Sequence, residues 1–463
     1  MIFGYTPFDS LFVLGATALA AWLLIRRPVR LMAYLPSALC LYFFIPFLTL
    51  LTLWQTIPLL LLARIGLRAR VFLPRSARPI LGALFLIFCL SALYAFSTGT
   101  DLERAAIRSL FYLSAFALLL FSYEMSRTAE GYALFVRGFA VLGVVLALYG
   151  AYQIVAFYAG LPMRGIVRGT RGADIAFENG LLRINSLANE PKRLGYVMFI
   201  SALACFALAA EQTGKPRRRY HVAGAGVLAI SITTFAGSYF LAIALFLAAC
   251  AILYPIRMQA WLVPGAGALL LAFALGYGQP IAETIQHGVE RRVAEIEVGL
   301  EGQRVYRQEL YAQDYFFEHP WQIATGVGIG QYYKVLNREY GPGAGYGDGG
   351  SLVPMNSTFF ELTFDFGAIG ALLFYSGLIG LILQLWRNGQ VFLTLALLFL
   401  TVQSLTILTQ LYVALFVGVS LGQLQNAPRH APRRAARFSF PNRSFEPVTK
   451  RSAARTPSDP PVL

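Results

Sequence analysis

The sequence is short of charged residues, and this scarcity excludes a soluble globular protein. Only 13% of its 463 residues are charged, whereas 57% are hydrophobic and the mean hydropathy is +0.60. A domain folded in water usually has about 25% charged residues. Apolar runs recur along the chain that are long enough to cross a hydrocarbon core of roughly 30 Å. The lipid bilayer is therefore the predicted solvent, and helices are the predicted spanning elements.

Motifs of soluble enzymes and of metal sites are also missing. The sequence contains no P-loop, no GxSxG, no HExxH and no paired CxxC, and its 4 histidines are scattered. Metal-dependent catalysis therefore has no ligand set with suitable spacing. The 4 cysteines fall inside apolar runs, where a free thiol behaves as a small hydrophobic group. We expect no disulfide framework, no metal and no cofactor.

What the sequence has instead is a series of apolar segments that predict an all-α fold, a polytopic transmembrane helix bundle of about twelve helices. The stretch 33–62 contains Pro46 and Pro58 and is long enough for one kinked span or for two short spans. The predicted helices lie near residues 9–25, 33–62, 79–98, 105–123, 133–158, 192–210, 219–234, 236–254, 259–277, 355–385, 390–407 and 409–424.

Composition also divides the chain into predicted segments. The C-terminal residues 426–463 form a basic tail that is rich in Pro, Ser and Ala and cannot form a core, so we expect it to be disordered. No aromatic-lined basic domain accompanies it, so no nucleic-acid partner is expected. The predicted segments are N-terminal transmembrane helices (1–159), an Arg-rich loop (160–191), central transmembrane helices (192–277), a large loop domain (278–354), C-terminal transmembrane helices (355–425) and the tail (426–463).

The excess of Lys and Arg in alternate connections orients the predicted bundle. The basic connections 64–78, 124–137 and 211–220 can all lie in the cytoplasm, together with the tail, in a single orientation. The two long loops then lie on the outer side. Only the basic residues 26–30 break this rule, and they do so only if the stretch 33–62 crosses once.

The first outer loop is net basic, which runs against the positive-inside bias. Arg164, Arg168 and Arg183 are among its residues. Longer loops can cross a membrane regardless of their charge, which is the simpler explanation. The functional explanation is an anionic ligand at the outer leaflet, because guanidinium groups match the oxygens of phosphate.

The second outer loop places further arginines on one face of a predicted helix. Arg304, Arg307 and Tyr311 follow the i, i+3, i+7 spacing of such a face. Residues at this spacing also form ordinary surface pairs, each worth a few tenths of a kcal/mol. The two loops together concentrate arginine on the predicted outer side of the bundle.

Two stretches of the chain resemble a known family. Residues 183–191 followed by Gly195 resemble the R-x-x-S-L-x-x-E-P-x-x-x-G element at the start of a central helix in exopolysaccharide and O-antigen polymerases. The resemblance covers residues 160–425 in all. A second, longer stretch resembles the core of the O-antigen ligase and polymerase superfamily at residues 304–307, 318–320, 326–330, 356–361 and 367–370.

The chain departs from the family pattern at two places. Ligases of this superfamily carry a His-Asn pair before the first Gly of a G-x-x-G element. Counting back from Gly367, this chain has Asn356 and Ser357 there, preceded by Met355. The Ser-Arg start of one family helix is here Ser238 followed by Tyr239. The missing His favours a polymerase over a ligase.

The resemblance implies a membrane glycosyltransferase at the periplasmic face of the bacterial inner membrane. Such a polymerase transfers a saccharide chain from an undecaprenyl-diphosphate-linked donor to the hydroxyl of a lipid-linked acceptor repeat, without a metal or a soluble nucleotide sugar. The implied partners are the lipid-linked saccharide, membrane lipid, and a chain-length regulator or other polysaccharide assembly proteins.

The residues agree with that chemistry. Diphosphate is a good leaving group, so the enzyme mainly needs cations that neutralise its developing charge, and Arg183 and Arg304 are the first candidates for this catalytic role. Glu190 is the best-placed general base, which is optional if the transition state is loose, but it could equally cap the helix that begins near Lys192. The candidate substrate-binding residues are Arg307, Arg168, Arg164, Tyr311 and Asn356.

Three other functions stay open. An O-antigen ligase would transfer the chain to a lipid A core or another acceptor. A transporter of lipid-linked saccharide would need charged residues buried in mid-helix and repeat symmetry between its halves, and the predicted spans carry almost no mid-membrane charge and no matching repeat. A scaffold subunit would not require arginines on the outer side.

Overall fold

The computed structural model describes residues 7–40, 44–45, 48–52, 61, 77–98, 101–161, 176–178, 181–184, 186–188, 191–234, 237–253, 308–341, 355, 357–405 and 409–426. These residues are overwhelmingly helical. They also include two short antiparallel hairpins, β1 (Phe44–Ile45) with β2 (Leu48–Thr52) and β3 (Ala176–Glu178) with β4 (Leu181–Arg183). The described helices are α1 (Pro7–Arg26), α2 (Pro28–Cys40), α3 (Arg78–Thr98), α4 (Leu102–Ser126), α5 (Ala129–Ala159), α6 (Pro191–Glu211), α7 (Gly214–Ile232), α8 (Gly237–Leu253), α9 (Gln308–Glu318), α10 (Pro320–Thr325), α11 (Tyr332–Tyr340), α12 (Thr358–Arg387), α13 (Val391–Gln403) and α14 (Gln410–Asn426).

Among the described helices, α3, α4, α5, α6 and α12 are long and apolar enough to cross a membrane. Leu86, Leu90 and Leu93 of α3 are exposed, as suits a helix that faces lipid. These features confirm the prediction of a helical membrane protein. The segment predicted at 133–158 is α5, whereas the one predicted at 259–277 lies outside the described residues. The total of about twelve spans remains a prediction.

The stretch 33–62 differs from a continuous helix. α2 ends at Cys40, and the β1–β2 hairpin follows it. Proline lacks the backbone N–H that a helix interior requires, so Pro46 does not favour a helix over the segment that follows α2. Ile45 and Thr49 are β-branched residues that favour strands. The stretch 33–62 is therefore not helical throughout, and the choice between one kinked span and two short spans stays a prediction.

The two ends of the bundle can be told apart by their contacts. The side-chain amide of Asn426 donates to the carbonyl of Arg127, and that of Gln423 donates to the carbonyl of Ser126. The end of α14 therefore meets the α4–α5 junction, and we call this side the tail end. The opposite side, where α4 and α12 begin, is the loop end.

The direction of α2 follows from two contacts at different depths. Near the loop end, the Tyr412 hydroxyl at the start of α14 donates to the Pro36 carbonyl over 3.1 Å. Nearer the tail end, Gly138 of α5 packs against the carbonyl of Ala33. α2 therefore runs from the tail end towards the loop end, and residues 26–30 lie at the tail end.

α3 begins at the tail end as well. Ile80 lies against Gly377 in the tail-end half of α12. Near the other end of α3, the Ser91 hydroxyl donates to the carbonyl of Asp365. α2 and α3 therefore both start at the tail end, and the path of most of the chain between them lies outside the described residues.

Small residues allow the helices to approach closely. Gly418 of α14 lies against Ser122 and the carbonyl of Leu119 in α4, and Gly143 of α5 lies against Ser201 of α6. A side chain at either glycine would collide with these atoms. In lipid there is little hydrophobic drive between helices, so close packing of this kind contributes much of their association.

The segment α9–α11 docks on the loop end of α12. The rings of Phe316 and Phe364 lie 4.5 Å apart between centroids, and the Val327 N–H donates to the Phe364 carbonyl over 2.7 Å. Gly367 adopts a φ of 74° inside α12, and a side chain there would collide with the carbonyl of Ala324. Glycine at this position therefore lets the two backbones touch.

Candidate functional site

A cluster of charged side chains lies at the loop end, between α4 and α12. Arg108 Nη2 forms an ion pair with Glu361 Oε2, and Arg108 Nε donates to Asp365 Oδ2 over 3.3 Å. Arg108 and Tyr112 lie one turn apart on α4, as Glu361 and Asp365 do on α12. The two pairs therefore face each other across the helix contact. We call these four residues the loop-end cluster.

The loop-end cluster is buried. The side chain of Glu361 is 3% exposed, that of Asp365 is 0% exposed and that of Arg108 is 17% exposed. A buried charge is tolerated only when it is paired and hydrogen-bonded. Two carboxylates face one guanidinium, so the cluster carries a net charge of about −1 when all three groups are ionised.

Both oxygens of Asp365 are bound by the protein. The Tyr112 hydroxyl donates to Oδ2 over 2.6 Å, beside the contact from Arg108. The backbone N–H of Gly330 donates to Oδ1 over 2.9 Å. Gly330 has a φ of 71°, and a side chain there would lie 2.8 Å from the carbonyl oxygen of Arg104. Asp365 therefore fixes the loop after α10 to α4 and α12.

Glu361 is bound on one oxygen only. Its Oε2 receives the ion pair from Arg108 and a hydrogen bond from the Gln410 side-chain amide over 2.5 Å. No contact to Oε1 is found among the described residues. The two carboxylates of the cluster therefore differ in how many of their oxygens are contacted by the described residues.

Two tyrosines at the start of α11 border the site. The rings of Tyr332 and Tyr333 stack with centroids 3.8 Å apart, and the Tyr332 hydroxyl accepts the N–H of Met355 over 3.2 Å. Burial raises the pKa of Tyr333 to about 12, and burial also raises the pKa of Tyr332. Both hydroxyls therefore stay neutral at physiological pH. The contact with Met355 holds the backbone just before the start of α12.

An apolar cavity of about 190 Å³ lies between α3, α4, α12 and α14. Phe88, Phe116 and Phe366 are among the residues that line it. Its lining also includes Tyr112 and Gln410, the residues that donate to Asp365 and Glu361. The cavity therefore borders the loop-end cluster.

Only part of the site predicted from sequence falls within the described residues. Arg183 lies in β4, where it pairs with Ala176, but its side chain is outside the description. Tyr311 lies in α9, half-buried and stacked on Tyr340 with centroids 5.3 Å apart. The other candidates lie outside the described residues: Arg304, Glu190, Arg307, Arg168, Arg164 and Asn356.

Several family-like motifs meet at the loop end. Gly330, from the motif 326–330, binds Asp365, and Glu361 closes the motif 356–361. Gly367, which opens the G-x-x-G element, contacts the backbone next to the loop after α10. Stretches that are separated along the chain therefore form one packed unit with Arg108 of α4.

The first motif is anchored elsewhere in the bundle. Ser186 has a φ of 49°, its N–H donates to Gln153 Oε1 over 2.8 Å, and its hydroxyl donates to the Leu146 carbonyl over 2.8 Å. The Ile184 N–H donates to the Thr233 carbonyl. The serine of this motif therefore fastens the segment before α6 to α5.

No protein-family model matches the chain, and no curated protein is significantly similar to it. The resemblance to the O-antigen ligase and polymerase superfamily accordingly rests on the motifs themselves. Among the residues that can be described, no group of three or more His, Cys, Asp or Glu side chains is arranged to hold a metal ion.

The residues predicted from sequence do not include Arg108, Tyr112, Asp365 or Gln410, and Glu361 is among them only as part of a motif. A signal was present, because Arg108 and both acids lie inside apolar segments predicted to span the membrane. Ionisable residues in such segments are uncommon and are a default indication of a functional site.

Proposed function

We propose that this protein is a bacterial inner-membrane polymerase of lipid-linked saccharide repeats. It transfers a saccharide chain from an undecaprenyl-diphosphate-linked donor to the hydroxyl of a lipid-linked acceptor, without a metal. The observation that carries the proposal is the loop-end cluster, because Glu361 of one family-like motif pairs there with the buried Arg108, and Gly330 of a second motif binds Asp365. A structural role alone would not require charges in this position.

The orientation in the membrane is part of the proposal. Arg27, Arg127, Arg218 and Arg387 all belong to connections or helix ends on the tail side of the bundle. The positive-inside bias assigns that side to the cytoplasm. The loop end, on which the segment α9–α11 docks, then faces the periplasm, where lipid-linked repeats would be joined.

The charge balance of the cluster suggests that Arg108 and the arginines that bind diphosphate have different roles. Arg108 is already balanced by two carboxylates, so it offers little net attraction for a diphosphate. Neutralising the leaving group therefore falls to Arg183 and Arg304, whose guanidinium groups suit phosphate oxygens. The apolar cavity next to the cluster is suited to a hydrocarbon chain, which supports a lipid-linked substrate.

A transporter of lipid-linked saccharide is the second candidate. Buried ionisable residues inside spanning helices are typical of proton-coupled carriers, and the loop-end cluster has this character. A ligase remains the nearest enzymatic alternative, since only the acceptor differs. The three functions leave different products in the lipid fraction.

The experiment is a reaction of the purified protein in lipid vesicles with short undecaprenyl-diphosphate-linked repeats, in EDTA and without ATP or nucleotide sugar. Mass spectrometry of the lipid fraction should show ladders of longer repeats. A transporter would return the donor unaltered, and a ligase would act only after a core acceptor was added. Unaltered donor from a folded preparation would contradict the proposal, and activity lost in EDTA but restored by a divalent ion would contradict the metal-free mechanism.

A further inference from the structure

The two carboxylates of the loop-end cluster are suited to different tasks. Asp365 has protein donors on both oxygens, including a backbone N–H that fixes a loop. Within the described residues Glu361 has donors on Oε2 only, and its side chain is 3% exposed. A carboxylate oxygen in such a position normally has a hydrogen-bond partner. Glu361 therefore has the capacity to accept one further hydrogen bond.

Arg108 offers a matching donor next to it. Its Nη2 binds Glu361 and its Nε binds Asp365, whereas no contact to Nη1 is found within the described parts of the chain. The side chain is 17% exposed, so it is not sealed on all sides. A hydroxyl group donates one hydrogen bond and accepts others. A substrate hydroxyl at this place would donate a hydrogen bond to Glu361 Oε1 and accept one from Arg108 Nη1.

We propose that Glu361 accepts the proton of the acceptor hydroxyl during glycosyl transfer, with Arg108 holding that hydroxyl in place. The inference rests on the proposed polymerase function and adds a catalytic residue to it. Glu361 takes the role that the sequence alone assigned to Glu190. Its position supports the assignment, because it lies in the first turn of α12 at the loop end, next to the motif residues that gather there.

Glycosyl transfer forms one bond at the anomeric carbon of the donor sugar and breaks another. The acceptor oxygen forms a bond to the anomeric carbon of the donor sugar, while the bond from that carbon to the diphosphate oxygen breaks. The diphosphate leaves with the electron pair of the broken bond. The hydroxyl proton passes to Glu361 Oε1 and is released to solvent before the next turnover. Asp365 stays bonded throughout and keeps Arg108 in position.

The test compares wild type with Glu361→Gln, Asp365→Asn and Glu103→Gln in the vesicle reaction, with kcat measured across a range of pH. General-base catalysis contributes about 10²- to 10⁴-fold, so Glu361→Gln should lose at least about 100-fold in kcat. The wild-type rate should fall on the acid side as one group takes up a proton. The residual rate of Glu361→Gln should lack this acid limb.

The other two variants separate chemistry from structure. Asp365→Asn should lower the stability of the protein but keep the acid limb of whatever activity remains. Glu103, exposed in the first turn of α4, is the matched carboxylate control, and Glu103→Gln should retain wild-type activity and pH profile. These contrasts distinguish a proton acceptor from a residue that only supports the fold.

Inactive wild type would contradict the proposed function itself. If wild type is active and folded Glu361→Gln keeps its rate and acid limb, the polymerase stands and the role of Glu361 is overturned. If Glu361→Gln fails to fold, the wild-type profile decides: an acid limb with a slope of one proton supports the role, and a flat profile down to the pH of unfolding overturns it.

Discussion

Replacing Arg108 with methionine would leave Glu361 and Asp365 buried without their counter-charge. Both acids have side chains that are at most 3% exposed, and Arg108 is the cation that contacts both. Removing one partner of a buried ion pair destabilises a protein by about 3–5 kcal/mol, because the remaining charge is left uncompensated. We expect Arg108→Met to lie in this range. Methionine keeps much of the apolar stem, so lost packing contributes little.

The triple variant Arg108→Met, Glu361→Gln, Asp365→Asn should recover most of this loss. The amide at position 365 can accept from the Gly330 N–H through its oxygen and donate to the Tyr112 hydroxyl through its nitrogen, and no charge remains to be compensated. Replacing a complete buried ion pair with neutral groups is often close to neutral in stability, so we expect a net loss within about 1–2 kcal/mol.

The assay is unfolding of the detergent-solubilised protein by titration with SDS, followed by near-ultraviolet circular dichroism. Arg338→Met is the control, because Arg338 pairs with Glu339 over 2.8 Å at the surface, with 69% of its side chain exposed. Surface pairs of this kind contribute about 0–1 kcal/mol. The reasoning is refuted if Arg108→Met is as stable as Arg338→Met, or if the triple variant is less stable than Arg108→Met.

Three further predictions concern topology and the predicted arginine site. In a background without reactive native cysteines, Glu318→Cys should react with a membrane-impermeant reagent in intact cells and Arg218→Cys should be protected, and the reverse pattern would overturn the orientation. Arg183→Ala and Arg304→Ala should each abolish polymer while lipid-linked single repeats accumulate. Lysine at either position should rescue activity incompletely, because a point charge does not replace the bidentate contact of a guanidinium. Polymer of wild-type length in these variants would remove both residues from the site. Deleting residues 427–463 should leave the activity of the purified enzyme intact, because a tail of this composition has no apolar face to pack; an inactive but folded truncation would show that the tail takes part.

The helices could be predicted well because each depends on a local property of the sequence. Apolar length alone placed α5 and α6 within a few residues of their observed bounds. The hairpin within 33–62 was not predicted, because hydropathy does not distinguish an apolar helix from an apolar hairpin. Because an apolar run fits a helix and a hairpin equally well, the sequence alone could not distinguish these two structures.

The loop-end cluster required information of another kind. Arg108 and Asp365 are 257 positions apart, and no periodicity within either helix indicates that they meet. Likewise Ser186 belongs to a motif that indicates a functional site, but in the structure its hydroxyl donates to the carbonyl of Leu146 and holds the backbone against α5. Residue type and spacing identify candidates, but their partners are decided by the packing of the bundle.

Depth in the membrane is the property that connects the sequence of each helix with the packing of the bundle. Arg108 lies about 9 Å along α4 from its first residue at a rise of 1.5 Å per residue, and Asp365 lies about 10 Å along α12 from its start. Both helices begin at the loop end, so an arginine and an acid come to the same depth in two otherwise apolar spans. An isolated charge at that depth is costly, and pairing it with an opposite charge at the same depth removes much of the penalty. Because the predicted topology already placed both helix starts on the outer side, matching the depths of intramembrane charges would have predicted this pair. It could not have shown that the described residues contact Glu361 on one oxygen only.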